Sequence, residues 1–360
     1  MAERVTIQDI ADALGISRNT VSKAINNTGV LAEATRQKVL AKAIELGYKQ
    51  FSYVDIDSIE NGGKTKEKRT GEIALISQWF LNASHFSSMM LDKFQLEISK
   101  IGYSLSMHVV RPEEILENKL PETIHLDRCK GIMCIEMFVP EYAEFLTSLD
   151  IPVLFVDAPV SSDGIISLNA DKLLMNNTDC ILDSIKIMKQ RGIRKIGYVG
   201  EAFHCQSFFE RYSAFLTGMS LQGLAVNNDW LLTKTFSNIQ YPQNKTFSEY
   251  VDSRIRELKE LPEVFICAND FVAMDLMNSV KSIGLSIPND IMILGFDDSQ
   301  ESRIISPSIS TIHIHSQIMG FSAMQLLVSR IEEPQLNYRT LYCETSLMLR
   351  ETTRDSGITK

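Results

Sequence analysis

The side chains with the clearest chemistry near the amino terminus are polar and share one face of a short predicted helix, residues 18–26. That face carries Arg18, Asn19, Ser22 and Lys23. Arginine pairs with O6 and N7 of guanine, asparagine pairs with adenine, and lysine reaches guanine or phosphate. The amino-terminal end of the second helix of a helix-turn-helix domain contacts base edges. The helix therefore suits DNA reading, although an ordinary helical bundle also carries polar residues outside.

A second set of polar side chains suits the DNA backbone rather than the bases. Hydroxyl and amide groups hydrogen-bond phosphate and sugar oxygens, and they fix the register of a protein on the duplex without reading its sequence. The side chains that we expect in this role are Thr6, Ser17, Thr20 and Asn26.

Three short helices are needed to position these groups. Apolar residues spaced i, i+3, i+4 and i+7 predict a first helix that begins after the capping residue Thr6 and ends at a turn on Gly15. The second helix turns its apolar residues inward. A third, at about 33–46, also has an apolar stripe, and it stops at Gly47. Residues 6–47 therefore predict a minimal helix-turn-helix domain.

The chain is acidic overall, but its charge is unevenly distributed. With 360 residues, 44% of them hydrophobic and 22% charged, it is typical of a globular α/β protein of more than one domain. The net charge is −9, whereas residues 1–50 carry +2 and the rest carry −11. Because an acidic body repels DNA, the basic amino-terminal end is the part that can approach it.

Several functional classes find no support in the sequence. No run approaches the roughly 18 apolar residues of a membrane span, and the start has no apolar export signal, so we expect a cytoplasmic protein. The six cysteines form no C-x-x-C pair and are expected to be buried thiols. His313 and His315 alternate on a predicted strand without a third ligand, which argues against a metal site. Motifs for nucleotide binding or a catalytic serine are absent, so we expect neither a cofactor nor an enzyme.

The stretch from Val5 to Asn26 resembles the headpiece of the LacI/GalR family of bacterial transcriptional regulators, and the likeness continues to Leu46-Gly-Tyr48. The resemblance implies that Arg18, Asn19 and Lys23 occupy the base-reading positions. The family usually has arginine where this chain has Lys23. Since lysine lacks the planar fork of arginine, the operator preference can differ.

The linker after the headpiece departs from the family pattern. The family usually continues with a proline and then a hinge helix of the Ala-Arg-x-Leu type, which forms on DNA and inserts a leucine into the minor groove. Residues 49–60, which follow Gly47-Tyr48, have no Pro, no Ala-Arg pair and no Leu at the expected places, and 61–70 form a polar linker. A tether of altered length is the simpler interpretation. The other is that Phe51, Val54 or Ile56 replaces the inserted leucine.

Beyond residue 72, short apolar runs alternate with helical patterns, which is typical of βαβ units and parallel sheets. A helix is expected near 85–101. About 240 residues of such units suit two lobes, and ligands of these folds bind in the crevice at the carboxyl ends of the strands. The predicted strands include Ile73–Ile76, Tyr103–Val110, Ile132–Ile135, Val153–Val156, Ile196–Val199, Val264–Cys267 and Ile291–Leu294.

The family resemblance extends over this core, more loosely than over the headpiece. It rests on Arg211–Phe215, Cys267–Asp270, Gly295–Asp298 and the closing Leu349–Arg354. It implies a two-lobed core like that of periplasmic binding proteins. The implied domains are a headpiece at 1–50, a linker at 51–70 and a core at 71–354, with lobe one at about 71–167 plus 314–343 and lobe two at about 168–312 plus 344–350.

The same motifs imply a set of effector-binding side chains at the strand ends. Charged and amide groups bind hydroxyls, and aromatic rings pack against a sugar or base. Three alternatives stay open: Arg211 and Asp297 could form a structural ion pair, Asn269 could cap a helix, and Phe236 could belong to the core. The expected ligand-binding side chains are His85, Phe86, Ser207, Arg211, Phe236, Asn269 and Asp297, with Asn169 at the presumed crossover as a weaker candidate.

The resemblance implies a ligand-responsive transcriptional regulator, most simply a repressor, with double-stranded operator DNA as one partner. A sugar or sugar derivative is the first choice of effector, and a nucleobase or nucleoside is the second. A homodimer is expected because one headpiece reads only a half-site. A pure binding protein would lack the headpiece, and an enzyme would need a reactive group that the sequence does not show.

Overall fold

The protein divides into two compact units, Met1–Arg69 and Thr70–Lys360. Gly47, Asn26 and the three candidate hinge residues lie outside the described part of the chain. The computed structural model describes residues 5–25, 31–46, 48, 70–79, 85–236 and 245–353.

The first unit contains the three predicted helices, Ile7–Leu14, Arg18–Ile25 and Glu33–Glu45. Thr6 caps the first one, because its hydroxyl accepts the Asp9 amide hydrogen at 3.3 Å while its own amide donates to the Asp9 carboxylate at 2.7 Å. Gly15 ends that helix with a φ of 64°, a left-handed conformation that glycine adopts without a steric penalty. The predicted cap and turn are both confirmed.

The inward faces of these helices form one small apolar core. Its members come from all three helices, and helices of 8 to 13 residues are marginal in water without such packing. The buried residues are Ile10, Ala11, Val21, Ala24, Ile25, Val39, Ala43 and Tyr48.

The second unit is an α/β structure built on two parallel sheets. Three predicted strands, at 153–156, 196–199 and 264–267, are observed at the expected limits, and the one predicted at 132–135 begins three residues earlier, at Cys129. The strands are β1 Gly71–Ser77, β2 Tyr103–Val109, β3 Cys129–Ile135, β4 Val153–Val156, β5 Val160–Ser161, β6 Gly164–Ile165, β7 Asp171–Met175, β8 Ile196–Val199, β9 Leu231–Leu232, β10 Val264–Cys267, β11 Met292–Leu294, β12 Thr311–Ile314, β13 Thr340–Cys343 and β14 Thr345–Met348.

The strand order of both sheets is that of doubly wound folds. The six-stranded sheet has the order β2-β1-β3-β4-β7-β13, and the four-stranded sheet has the order β9-β8-β10-β11. Every pair within them is parallel. In each sheet the order reverses at the first strand of the lobe, and ligands of such folds bind beside that switch point, beyond the carboxyl ends of the strands.

The boundary between the lobes differs from the expected one. Strand β7 was expected in the second lobe, which was to begin at 168, but it pairs with β4 and β13 in the six-stranded sheet. Asp171 supplies the physical reason, because it is bound by Arg330 at 3.0 Å and Arg339 at 3.0 Å, from the end of the helix and the loop that lead into β13. The chain therefore leaves the first sheet after Met175, and Asn169 precedes β7 rather than lying at the crossover.

Helices cover both sheets. The helix Ser316–Glu332 approaches His85–Lys100 closely at Gly320, where a Cβ would lie 2.3 Å from the Met90 carbonyl oxygen. No helix within the described ranges is long and apolar enough to span a membrane. The other helices are Pro112–Leu116, Pro140–Ser148, Asp179–Gln190, Gln206–Leu221, Lys245–Glu257, Asp270–Ser282 and Gln300–Ile304.

Candidate DNA-reading helix and effector cleft

The helix Arg18–Ile25 presents the expected polar face to solvent. Arg18, Asn19 and Lys23 are exposed, and Ser22 is half-buried. The opposite face is buried in the headpiece core. The three long side chains can therefore reach a DNA groove without disturbing the packing of the headpiece.

The hydroxyl groups expected at phosphates also cap helices. Ser17 Oγ accepts the Thr20 amide hydrogen at 3.1 Å, and the two hydroxyls lie 2.8 Å apart. The Thr6 hydroxyl hydrogen is directed at Asp9, with an oxygen–oxygen distance of 2.7 Å. Helix capping accounts for these residue types whether or not they also contact phosphate.

An open cavity of about 430 Å³ lies between the lobes. One wall consists of first-lobe residues that come after β3 or lie in and just after β5. The other consists of second-lobe residues that come after β8 and β9. Three phenylalanine rings dominate it, and hydroxyls and one carboxylate supply its polar groups. The lining residues are Phe138, Val139, Pro140, Glu141, Val160, Ser161, Ser162, Phe203, Thr235 and Phe236.

Phe236 lies at the surface of an aromatic cluster. Its ring meets those of Phe247 and Tyr250 edge-on, at centroid distances of 6.4 and 6.1 Å. Lys234 Nζ lies 4.9 Å from the ring centroid. The Phe236 amide donates to the buried Glu201 carboxylate at 2.8 Å. This bond fixes the backbone of Phe236 while the neighbouring side chains fix its ring, and the ring still lines the cavity. Phe236 therefore packs in an aromatic cluster and also lines the cleft, so both alternatives for this residue hold.

Arg211 is buried, with an exposed fraction of 2%, and its guanidinium group is fully positioned by the protein. Nε donates to Asn177 Oδ1 at 2.9 Å and Nη1 donates to the Ala268 carbonyl at 2.6 Å. The Arg211 guanidinium carbon lies 3.5 Å from the centroid of the Phe296 ring, so the flat group packs on that ring. Its position is therefore fixed before any ligand arrives.

Asp297 and Arg211 form the ion pair that the sequence left open, with 3.5 Å between Nη1 and Oδ1. The Asp297 side chain nevertheless stays 24% exposed. Burial raises its pKa to about 7, because the attraction of Arg211 offsets only part of the desolvation. A carboxyl group in this condition is poorly satisfied by the protein alone.

Four of the described acidic residues have a positive φ, and three of them, Glu136, Asp157 and Asp297, also have a raised pKa; the fourth is Asp298, with a φ of 54° and a lowered pKa. Glu136 follows β3 with a φ of 53°, Asp157 follows β4 with a φ of 61°, and Asp297 lies beyond β11 with a φ of 107°. Burial raises the pKa of each, to about 7 for Glu136. Left-handed residues other than glycine are strained and cluster at functional sites. The carboxyl ends of the strands are thus marked by both geometry and electrostatics.

Ser207 contributes to contacts between the lobes rather than to the cavity lining. Its amide donates to Asp157 Oδ1 at 3.1 Å, and its hydroxyl donates to Met175 Sδ at 3.1 Å. Asn177 Nδ2 lies 3.3 Å from the same hydroxyl. Since these groups already use the Ser207 hydroxyl, a ligand would have to compete for it.

Asn269 caps the helix Asp270–Ser282, as one of the open alternatives held. Its Oδ1 accepts the Val272 amide hydrogen at 2.9 Å. The side chain is 7% exposed, and Nδ2 takes no part in the cap. Capping alone explains this residue, and a contact with ligand stays a prediction.

The remaining sequence candidates divide into two groups. His85 and Phe86 begin the helix His85–Lys100, but their side chains lie outside the described residues. Asn169 is exposed, and strand β7 separates it from the observed crossover at Asn176–Asn177.

Sequence reasoning missed four residues of the cleft: Phe138, Phe203, Asp157 and Asn177. Asp157 follows strand β4 directly, and the two phenylalanines follow β3 and β8 within four residues. Their position after predicted strands was an available signal. Asn177 offered none, because its partners Arg211 and Glu210 are more than 30 residues away.

The cysteines and the two histidines singled out in the sequence have the following surroundings. All six cysteines are buried free thiols, as expected. His313 Nδ1 lies 2.9 Å from Asp298 Oδ2, and His315 Nε2 lies 3.0 Å from Ser346 Oγ. Among the residues with described positions, no three potential metal ligands lie together.

A DNA-reading helix and a cleft between two α/β lobes on one chain define a class, the ligand-sensing DNA-binding regulators. Residues 6–50 match the family model of bacterial regulatory proteins, lacI family, and residues 185–353 match that of the periplasmic binding protein-like domain. The chain therefore combines a LacI-type helix-turn-helix domain with a periplasmic-binding-protein-like domain, as LacI-family regulators do. It is a ligand-responsive, DNA-binding transcriptional regulator and not an enzyme.

Individual relatives cover nearly the whole chain. It is 28% identical over 353 residues to the HTH-type transcriptional repressor PurR of Vibrio vulnificus, covering 97% of this chain and 98% of that one. The corresponding repressor of Actinobacillus pleuropneumoniae serotype 3 is 27% identical over 355 residues, with the same two coverages.

Solved structures share the fold. The complex of the transcriptional regulator CelR with cellobiose has a TM-score of 0.65 at 19% identity, over 97% of this chain and 100% of that one. The lac repressor dimer bound to operator and the anti-inducer ONPF has a TM-score of 0.62 at 19% identity, over 98% and 100%. At this identity the likeness concerns the fold alone.

Proposed function

We propose that this regulator is a repressor whose operator binding is controlled by a sugar held between the lobes. The observation that carries the proposal is the 430 Å³ cavity with phenylalanine rings on both walls. The carbon–hydrogen face of a sugar ring packs on aromatic rings, while its hydroxyls need convergent polar partners. Ser161, Thr235 and Glu141 supply such partners in the lining.

Arg211 and Asp297 are the charged groups that we assign to this ligand. A ladder of rings connects them to the cavity: His204 lies between Phe138 and Phe208, with centroid distances of 4.9 and 5.1 Å. The Arg211 guanidinium carbon lies 5.7 Å from the Phe208 ring. A carboxylate with spare acceptor sites and a raised pKa gains more from ligand hydroxyls than a well-paired one does. Ser207, Asn269, His85 and Phe86 remain candidate contacts.

A nucleobase or nucleoside is the second candidate. The three phenylalanine rings of the lining favour it, because flat bases stack on aromatic side chains. The three hydroxyl side chains of the lining, Ser161, Ser162 and Thr235, favour the sugar. The solved relatives bound to cellobiose and to D-xylulofuranose agree with a sugar effector in this fold.

On the DNA side, we assign base reading to Arg18, Asn19 and Lys23, and phosphate contacts to hydroxyls at the ends of the helices. The proposed assembly is a homodimer, since two headpieces are needed to read a two-fold operator. The proposed site of action is the cytoplasm. The lac repressor structure bound to operator is described as a dimer. Asn26 and the linker lie outside the described residues, so the route from cleft to headpiece is not assigned.

The effector proposal is tested by a thermal-shift screen of monosaccharides, disaccharides, nucleobases and nucleosides on the full-length protein. Any hit is then titrated calorimetrically against the wild type and Asp297→Asn. We expect a sugar hit whose affinity falls at least tenfold in the variant, because the amide offers one acceptor where the carboxylate offers two.

A hit with equal affinity for both proteins would remove Asp297 from the site. A nucleoside hit and no sugar hit would replace the first candidate by the second. Asn suits the φ of 107° better than alanine, since asparagine tolerates left-handed backbone.

A further inference from the structure

The helix Gln206–Leu221 belongs to the second lobe by its packing. Tyr212 and Phe215 lie against the ring of Tyr198 in β8, with centroid distances of 5.4 Å for both pairs. Its first turn, however, faces the first lobe. The Gln206 amide donates to the Ala158 carbonyl at 2.8 Å.

The first amide groups of a helix have no partner within the helix itself. Here the first lobe provides partners, since the Ser207 amide also donates to Asp157 at 3.1 Å. Opening the cleft by separating the lobes therefore exposes these two amides to water. Their protection from solvent measures how often the lobes are together.

One carboxylate on this helix gathers side chains from both lobes. Glu210 Oε1 accepts from Gln206 Nε2 at 2.7 Å and from the Tyr342 hydroxyl at 2.8 Å. Its Oε2 accepts from Asn177 Nδ2 at 2.8 Å. Lys172 Nζ donates to Gln206 Oε1 at 3.3 Å. Lys172 and Tyr342 lie on β7 and β13, the last two strands of the six-stranded sheet.

The charges of this cluster suit a bond between lobes. Burial lowers the pKa of Lys172, and the neighbouring carboxylates of Glu210 and Asp157 partly restore it. Partial burial and the contact with Glu210 raise the pKa of Tyr342, so the hydroxyl keeps its proton. The cluster also adjoins the chain crossing, because the Asn176 amide donates to the Cys343 carbonyl at 2.7 Å.

We propose that Lys172, Gln206, Glu210 and Tyr342 form an interlobe latch that sets the equilibrium between open and closed lobes. None of the four lines the 430 Å³ cavity. Glu210 and Tyr342 are therefore positioning residues, which act through lobe closure. A further consequence rests on the proposed function: weakening the latch lowers the apparent affinity of any effector that binds the closed lobes, in proportion to the closed fraction.

The test uses hydrogen exchange by mass spectrometry on the effector-free, full-length protein. The variant Tyr342→Phe removes the hydroxyl and keeps the ring. We expect exchange of the Gln206 and Ser207 amides to accelerate by a factor of about three to ten. That factor corresponds to the loss of one half-exposed hydrogen bond to a charged acceptor. Exchange of the β8 amides and the melting temperature should not change. Lys172→Met should accelerate the same two amides.

Tyr338→Phe is the matched control. Tyr338 is 53% exposed, similar to Tyr342 at 49%, and its ring lies against Arg330, at 4.7 Å, within the first lobe. The control should leave the two amides unchanged. Unchanged amides in both latch variants would overturn the proposal, and so would equal acceleration throughout β8, which reports global destabilisation. Because no effector is used, failure of the sugar screen leaves this result intact.

Discussion

Two adjacent aspartates, Asp297 and Asp298, are predicted to respond in opposite directions to the same substitution. Among the described residues, the charged partner of the Asp297 carboxylate is Arg211, at 3.5 Å, and burial raises the pKa of Asp297 to about 7. Replacing it by asparagine removes a poorly compensated buried charge while keeping the shape. We therefore expect Asp297→Asn to stabilise the ligand-free protein at neutral pH and above.

The magnitude follows from the pKa of Asp297. The unfolded carboxyl titrates near its ordinary value of 3.8 and the folded one near 7, so the folded state holds an extra proton between these values. The contribution of Asp297 to the stability of the wild type therefore falls as pH rises from about 4 to 7 and is level above pH 7. One pKa unit corresponds to about 1.4 kcal/mol, so the contribution of Asp297 to this loss is at most about 4 kcal/mol.

Asp298 serves as the internal control. Burial alone would raise its pKa, but the bonds from His313, Arg303 and Arg350 outweigh burial and hold the pKa far below the ordinary range. Arg303 Nη2 lies 2.6 Å from its carboxylate, and Arg350 contacts the other oxygen. Asp298→Asn leaves these cations without their shared partner. We expect a loss of about 3–5 kcal/mol, typical of a broken buried ion pair.

The assay is urea unfolding of the wild type and both variants between pH 5 and 8. The stability gained by Asp297→Asn over the wild type should grow from pH 5 to about 7 and level off towards pH 8. Destabilisation by Asp297→Asn at pH 8, or a gain independent of pH, would refute the assignment of Asp297 as a poorly satisfied buried carboxyl. A stable variant also ensures that lost effector binding reflects the site and not unfolding.

Two further predictions concern DNA reading and core packing. Arg18→Ala should weaken binding to a selected operator by about 1–3 kcal/mol while affecting random DNA much less; equal losses on both, in a fluorescence-anisotropy titration, would make Arg18 a phosphate contact. Tyr198 is fully buried, and its hydroxyl has no hydrogen-bond partner among the described residues. Tyr198→Phe should therefore raise the free energy of unfolding by up to about 1 kcal/mol. Tyr142→Phe should lower it by about as much, because the Tyr142 hydroxyl donates to the Lys119 carbonyl at 2.8 Å. A lower free energy of unfolding for Tyr198→Phe would contradict the view that the Tyr198 hydroxyl is unsatisfied.

The sequence was most informative where local signals decide the structure. Strand β4 and the capped first helix are observed where the apolar pattern and the Thr6 cap predicted them. The membership of β7 was wrongly predicted, because pairing with β13 joins segments about 170 residues apart and depends on Asp171 meeting Arg330. No local pattern encodes that contact.

The candidate site divides in the same way. Motifs located Arg211 and Asp297, and the structure brings them within 3.5 Å of each other. Phe138 and Phe203 were missed because loop residues after strands have no periodicity that would reveal their role. The function of Asn269 as a cap was foreseeable from its position before a helix, whereas the bond of Asn177 to Arg211 required the fold.

The central claim, that a ligand in the cleft controls operator binding, is tested most directly by titrating an in vitro selected operator with the full-length protein, with and without the sugar found by the screen. We expect the sugar to change operator affinity at least fivefold in the wild type and not in Asp297→Asn. Binding of the operator should in turn change the affinity for the sugar by the same factor, since coupling is reciprocal. Equal operator affinity with and without saturating sugar would contradict the account.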